Sequence, residues 1–231
     1  MGKLRLLDAI QGANMERQFK DRHAAGRVLA QALQAYMGRK DVLIFALPRG
    51  GVPVGYEVAK ALGAELDVLI VRKLGVPNQP ELAMGAISSG DALFLNEQII
   101  KLAGISPDEI EDVLKQERHE LARRESLYRG SRPIARVEGR TIIVVDDGIA
   151  TGASMGAAIF PLRGKKPERI VIAVPVAPAD VRERFRDVTD EFVSLLSPRD
   201  FQAVGQFYED FSATEDEEVH ALLADAHGEA H

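Results

Sequence analysis

Two adjacent carboxylates, Asp146 and Asp147, stand between a run of apolar residues and a run of small ones. Before them, Ile142, Ile143, Val144 and Val145 are consecutive β-branched aliphatics, the pattern of a strand buried on both faces. After them, Gly148, Ile149, Ala150, Thr151, Gly152, Ala153 and Ser154 form a short loop, and Met155-Gly156-Ala157-Ala158-Ile159 begins a helix. In an open parallel sheet, the carboxyl ends of the strands are where ligands bind. A small-residue loop entering a helix offers unpaired backbone N–H groups to an anion. Carboxylates accept from sugar hydroxyls and the loop donates to a phosphate, so the stretch suits a sugar phosphate. The plainer alternative is an acidic turn followed by a helix cap.

Two further segments carry charge where a ligand could use it. Asp41 to Leu47 reads as a buried strand ending in Pro48-Arg49-Gly50-Gly51, with a helix expected from about Val54 to Leu62. Gly50 and Gly51 permit close backbone approach, and the Arg49 guanidinium can give two hydrogen bonds to one phosphate. Glu65 to Val71 reads as the next strand, delivering Arg72 and Lys73 at its end. Two neighbouring cations there need solvent or anions around them. Leu74 to Pro80 reads as a loop, and Glu81–Ser88 with Ala92–Leu95 as a hairpin turning at Ser89-Gly90-Asp91. All three charged segments then lie at strand carboxyl ends, on one side of the sheet.

The elements that must hold these groups alternate strand and helix from Asp41 to Leu196. That alternation predicts an α/β fold: a mostly parallel central sheet with helices on both faces. Ahead of it, residues 1–15 show little pattern. Arg17 to Met37 reads as a packing helix stopped by Gly38, with Arg22 and His23 on a solvated face. Asn96 to Ala103 reads as a short helix ended by Gly104. Ser106-Pro107-Asp108-Glu109 then supplies the N-cap, first-turn proline and capping box of a helix running to Tyr128. Its apolar stripe is thin, so limited core contact is expected, as an arm or as the surface of a homodimer. Its Arg123, Arg124 and Arg129 read as i,i+4 partners of Glu120 and Glu125. Strands at Arg169–Val174 and Glu191–Leu196 complete the sheet. Ser197 to Phe211 is irregular and aromatic, Glu215 to Ala226 is an acidic helix, and Glu229 to His231 should fray.

Length and composition set the limits. The 231 residues suit one domain over 1–231, with a core at about 41–196, a helical insertion at about 97–130 and a tail at about 197–231. The chain has no cysteine, which excludes disulfides and thiolate-held metals and suits a reducing compartment. No apolar run approaches the roughly 18 residues of a membrane span, and the early charges of Lys3 and Arg5 are unlike a signal peptide. A cytoplasmic setting is expected. The net charge of −6 argues against nucleic acid as a partner.

The run Ile142 to Ser154 resembles the phosphoribosyl pyrophosphate (PRPP) motif of type I phosphoribosyltransferases: hydrophobic residues, two acidic residues, then a small Thr/Gly/Ser loop. Gly148 departs from the aliphatic residue commoner at that position. Pro48 to Gly51 resembles the family's pyrophosphate loop, where one non-proline peptide is often cis, and Pro48–Arg49 is the candidate bond. Arg72 and Lys73 match basic residues that contact pyrophosphate in several members, ahead of a flexible hairpin that closes over PRPP. Together the segments are most similar to a branch known only as predicted phosphoribosyltransferases. The resemblance implies displacement of pyrophosphate from PRPP by a nitrogenous base or amine. Asp146 and Asp147 would take the ribose hydroxyls. The N–H groups from Gly148 through Ile149, Ala150, Thr151, Gly152 and Ala153 to Ser154 would hold the 5-phosphate. Arg49, Gly50, Gly51, Arg72 and Lys73 would serve the pyrophosphate, with Mg²⁺ held mainly by substrate oxygens and water. The tail would form a hood over the acceptor, with Phe201, Phe207 and Tyr208 as stacking candidates. The acceptor itself stays open. A non-catalytic sensor of PRPP or nucleotide on the same fold is the alternative, and a different sugar-phosphate or nucleotide enzyme is a third reading.

Overall fold

The apolar runs become strands because both of their faces are covered. In this computed structural model, which describes residues 18–228, the elements follow in chain order. They are α1 (Arg22–Ala32), β1 (Val42–Ala46), α2 (Gly51–Leu62), β2 (Glu65–Val68), β3 (Val71–Val76), β4 (Gln79–Ser88) and β5 (Ala92–Leu95). Then come α3 (Glu97–Ala103), α4 (Pro107–Arg129), β6 (Thr141–Val145), α5 (Ala153–Gly164), β7 (Arg169–Val176), α6 (Val181–Arg184), β8 (Glu191–Leu196) and α7 (Asp216–Ala226). The expectations for residues 1–15, for the start of a helix at Arg17 and for the tail at 229–231 lie outside the described residues.

Five strands form a parallel sheet in the order β2-β1-β6-β7-β8. Their side chains alternate between two cores, as a pleated strand requires. Val42, Ile44, Ala46, Ile143 and Val145 face α1 and α2, whereas Leu43, Phe45, Ile142 and Val144 face α5. The mostly parallel α/β sheet with helices on both faces is therefore present. No helix among the described residues is long and apolar enough to cross a membrane.

One assignment from sequence is corrected. The run from Glu65 to Val71 is not one strand, because β2 stops at Val68. Leu69 and Ile70 are buried connectors: the Leu69 N–H donates to the Ala46 carbonyl, and the Ile70 carbonyl accepts from the Ser89 N–H. Arg72 and Lys73 then lie inside β3, in a separate antiparallel sheet of order β3-β4-β5, and not at a carboxyl end of the parallel sheet. The expected loop at Leu74–Pro80 is mostly strand, turning tightly at Asn78, whose φ is 65°. The second turn falls at Gly90 and Asp91 as read from sequence.

The helix at 106–128 starts with the expected capping box between Ser106 and Glu109. Its core contact is larger than its stripe suggests. Leu114, Leu121 and Tyr128 are buried against the main core, and Arg129 enters the protein interior. Arg129 donates from Nε to Asp67 on β2 (3.0 Å) and from Nη2 to the Val68 carbonyl (2.6 Å). Arg123 and Arg124 instead stay on the surface with Glu120.

Candidate active site

Asp146 and Asp147 leave the carboxyl end of β6, which is hydrogen-bonded between β1 and β7. The loop after β1 lies directly against them. A Cβ on Gly50 would sit 2.1 Å from Asp147 Oδ2, and one on Gly51 would sit 2.8 Å from the Val145 carbonyl oxygen. Both glycines are thus required by close approach. The Pro48–Arg49 peptide in this loop is cis. Asp146 Oδ1 accepts from the Asp147 N–H (2.9 Å). The Asp147 carbonyl accepts from the Tyr208 hydroxyl (2.6 Å), and Asp147 Oδ2 accepts from Arg22 Nε (2.8 Å).

Burial pushes both carboxyl groups above their ordinary range. For Asp146 the Asp147 charge adds to that push, whereas Arg22 draws Asp147 back down. Two carboxylates packed together and half withdrawn from water cost stability, and such costs concentrate at sites of chemistry. The Tyr208 phenol is also pushed far up by burial, so it is a neutral donor.

The loop beyond the pair turns into the N-terminus of α5. Gly152 sits there with φ of 78°, a left-handed conformation suited to glycine. The Ala153 N–H donates to Thr151 Oγ1 (3.3 Å), and Arg184 Nη1 donates to the Thr151 carbonyl (3.0 Å). The loop is not uniform. Ile149 is buried in the core and its N–H is taken by the Val176 carbonyl (2.9 Å), so that N–H does not face a ligand. Ala150, Thr151, Ala153 and Ser154 are exposed at the helix start, where the first-turn N–H groups have no helical acceptors.

The structure also accounts for Gly148. A Cβ at that position would lie 2.6 Å from Val204 Cγ1 and 2.9 Å from Val176 Cγ1. The aliphatic volume usual at this position is supplied instead by Val204 of the C-terminal segment. Gly148→Val is expected to destabilise the protein by about 2 kcal/mol, lowering the melting temperature by roughly 5 °C. Val204→Ala in the same chain should recover most of that loss. Thermal melts of the two single variants and the double variant measure the coupling.

The basic residues separate into three environments. Arg49 is half exposed and faces Glu215 (3.6 Å) and Asp216 (3.8 Å) at the start of α7. Arg72 is committed to Glu117 of α4 at 2.6 Å. Lys73 is exposed and borders a cavity of about 450 Å³ that Thr151, Gly152 and Ala153 also line, with Phe94, Phe160 and Phe185 as its aromatic walls. The fold therefore brings Gly50 and Gly51 to the acidic pair, and Lys73 to the phosphate-type loop. It does not bring Arg72 with them.

Two functional side chains were assigned elsewhere from sequence. Arg22 is not on a solvated face. It is buried against Asp147, and the signal for its position was Asp21, which caps α1 by accepting from the Ala24 N–H (2.7 Å). Val204 had no local signal. The C-terminal aromatics pack mainly on each other and on the start of the described chain: Phe201 stacks on Phe207 (5.7 Å between centroids), and Phe19 forms a parallel bridge with Tyr208.

Comparison with known proteins agrees with this geometry. Residues 17–212 match the phosphoribosyl transferase domain family. The protein named "Putative phosphoribosyl transferase Rv0571c" of Mycobacterium tuberculosis is 46% identical over 209 residues, covering 90% of this chain and 47% of that protein. The chain thus spans about half the length of the curated relatives it matches. The crystal structure of TT1426 from Thermus thermophilus is 43% identical, covers 90% of this chain and 98% of that one, and superposes with a TM-score of 0.82. With the carboxylate pair, the glycine notch and the small-residue loop in the expected strand–loop–helix order, this chain belongs to the phosphoribosyl transferase domain family.

Proposed function

We propose that this chain transfers the 5-phosphoribosyl group of PRPP to a nitrogenous base or amine and releases pyrophosphate, in a cytoplasmic setting. The observation that carries the reading is the half-buried Asp146–Asp147 pair set between the Gly50–Gly51 notch and the N-terminus of α5. In this reading Asp146 and Asp147 accept from the two ribose hydroxyls. Their negative charge also offsets positive charge that builds on the ring as the pyrophosphate bond stretches. The N–H groups at the start of α5, with the Thr151 and Ser154 hydroxyls, take the 5-phosphate. The Arg49–Gly51 loop takes the departing pyrophosphate, for which Arg49 exchanges its long contacts with Glu215 and Asp216. Lys73 reaches the anion from the hairpin side, and closure of β3–β5 excludes water that would hydrolyse PRPP.

Divalent metal fits this arrangement as a companion of the substrate. No group of three or more His, Asp or Glu that could hold an ion occurs among the described residues, and Mg²⁺ retains water and favours phosphate oxygens. Bound there, it would neutralise pyrophosphate charge, while the acidic pair stays free for the ribose.

The test is incubation of the chain with PRPP, Mg²⁺ and a panel of purines, pyrimidines and small amines, reading pyrophosphate release. Base-dependent release is expected for at least one acceptor. Tight PRPP binding with no release for any acceptor would overturn transfer and leave a sensing role.

A further inference from the structure

Arg22 has no place in the motif that carries the family resemblance. In the fold its side chain is 11% exposed and meets Asp147, whose side chain is 15% exposed. Three contacts hold the guanidinium. Nε donates to Asp147 Oδ2 at 2.8 Å, Nη1 donates to the Ser212 carbonyl at 2.6 Å, and the Phe211 ring centre lies 4.0 Å from Cζ. Gly50 leaves the notch for this pair, since a Cβ there would also lie 3.2 Å from Arg22 Nε. One cation therefore meets the acidic pair, the loop after β1 and the C-terminal segment at a single point.

That C-terminal segment is itself fastened to the chain just before α1. The Phe19 N–H donates to the Phe207 carbonyl (2.8 Å), the Glu209 N–H donates to the Phe19 carbonyl (2.8 Å), and the Asp210 N–H donates to the Lys20 carbonyl (2.9 Å). Residues 18–22 and 204–212 thus form one clasp, with Arg22 at its inner end. A planar, permanently charged fork suits this three-way hold, and a lysine ammonium would reproduce the charge without the geometry.

We propose that Arg22 is the positioning residue of the acidic pair: it keeps Asp147 a carboxylate, occupies only Oδ2 so that Oδ1 serves the ligand, and makes that state depend on the docked 204–212 segment. The identity of the ligand as ribose rests on the transferase reading. The charge and its coupling to the clasp do not. The groups that face Asp147 are Arg22 from α1, Asp146 from its own loop and the neutral Tyr208 hydroxyl from the C-terminal segment, while Asp210 of that segment faces Arg22. Burial drives the Asp147 carboxyl upward, and Arg22 is the main opposing influence.

The experiment compares the wild-type chain with Arg22→Gln and Arg22→Lys by carbon-detected NMR titration of the Asp147 carboxyl, alongside PRPP binding as a function of pH. In Arg22→Gln the titration midpoint is expected to rise by about one pH unit or more, with Arg22→Lys between it and wild type. PRPP affinity at pH 7 should fall roughly tenfold in Arg22→Gln, the equivalent of one unit of protonation, and recover in part with lysine. An unmoved midpoint in folded Arg22→Gln, or indistinguishable Gln and Lys variants, would overturn the proposal. Failure of the wild type to bind PRPP would instead overturn the donor assignment, because the carboxyl titration needs no ligand.

Discussion

Asp146→Asn is expected to melt at a higher temperature than the wild type at pH 7.5 while losing about 100-fold or more of PRPP-dependent activity. The stability half follows from the sign of the shift. Burial and the Asp147 charge raise the folded-state carboxyl above its ordinary value of 3.8. Below that value both folded and unfolded chains carry the proton, so Asp146 costs nothing. As pH rises past 3.8, the unfolded chain ionises first and is favoured, until the folded carboxyl also releases its proton. Asparagine keeps an oxygen for the Asp147 N–H but has no proton to lose. The variant's advantage should therefore be absent near pH 4 and grow toward neutrality. Melting curves at pH 4, 5.5 and 7.5 check this, and a variant less stable than wild type at pH 7.5 would contradict it. A gain in stability with a loss of turnover is what a strained functional pair predicts.

Arg129→Leu should cost about 3–5 kcal/mol, because it strands the Asp67 charge inside the protein. The side chains of Arg129 and Asp67 are 5% and 9% exposed, and Asp67 also accepts from the Val68 and Ala135 N–H groups at 2.7 and 3.0 Å. The pair fastens the end of α4 and the return toward β6 to β2, remote from the acidic loop. At roughly 2–4 °C per kcal/mol for a chain of this size, the melting temperature should fall by about 10 °C. Asp67→Asn added to Arg129→Leu removes the stranded charge, so the double variant should be more stable than Arg129→Leu alone. A double variant no more stable than the single one would show that shape, and not charge, dominates here.

The parallel sheet was legible in the sequence because each of its central strands is a short apolar run with a turn after it. The motif at Asp146 to Ser154 was legible for the same reason, since all its parts are contiguous. The reading failed where burial and strand continuity separate. Leu69 and Ile70 are as apolar as any strand residue, yet they carry the chain from one sheet into another, and hydrophobic pattern has no term for that change of direction. Arg72 looked available because its partner Glu117 is 45 residues away on another element. Arg22 looked solvated because Asp147 is 125 residues away. Long-range charge pairs leave no periodic trace, and both errors have that origin. The missing side chain at Gly148 was visible as a departure, but its reason lay in Val204.

That Gly148–Val204 contact has a consequence for water. The volume next to the carboxylate pair is plugged from the far end of the chain and not by the loop's own side chain. Lifting residues 204–212 would open a gap about the size of an isopropyl group beside Asp147 and remove the Tyr208 and Ser212 contacts with it. Solvent entering there would return both acids toward ordinary ionisation, since burial is the chief cause of their displacement. The dryness of the pair is therefore a property lent by the C-terminal segment, and it is reversible.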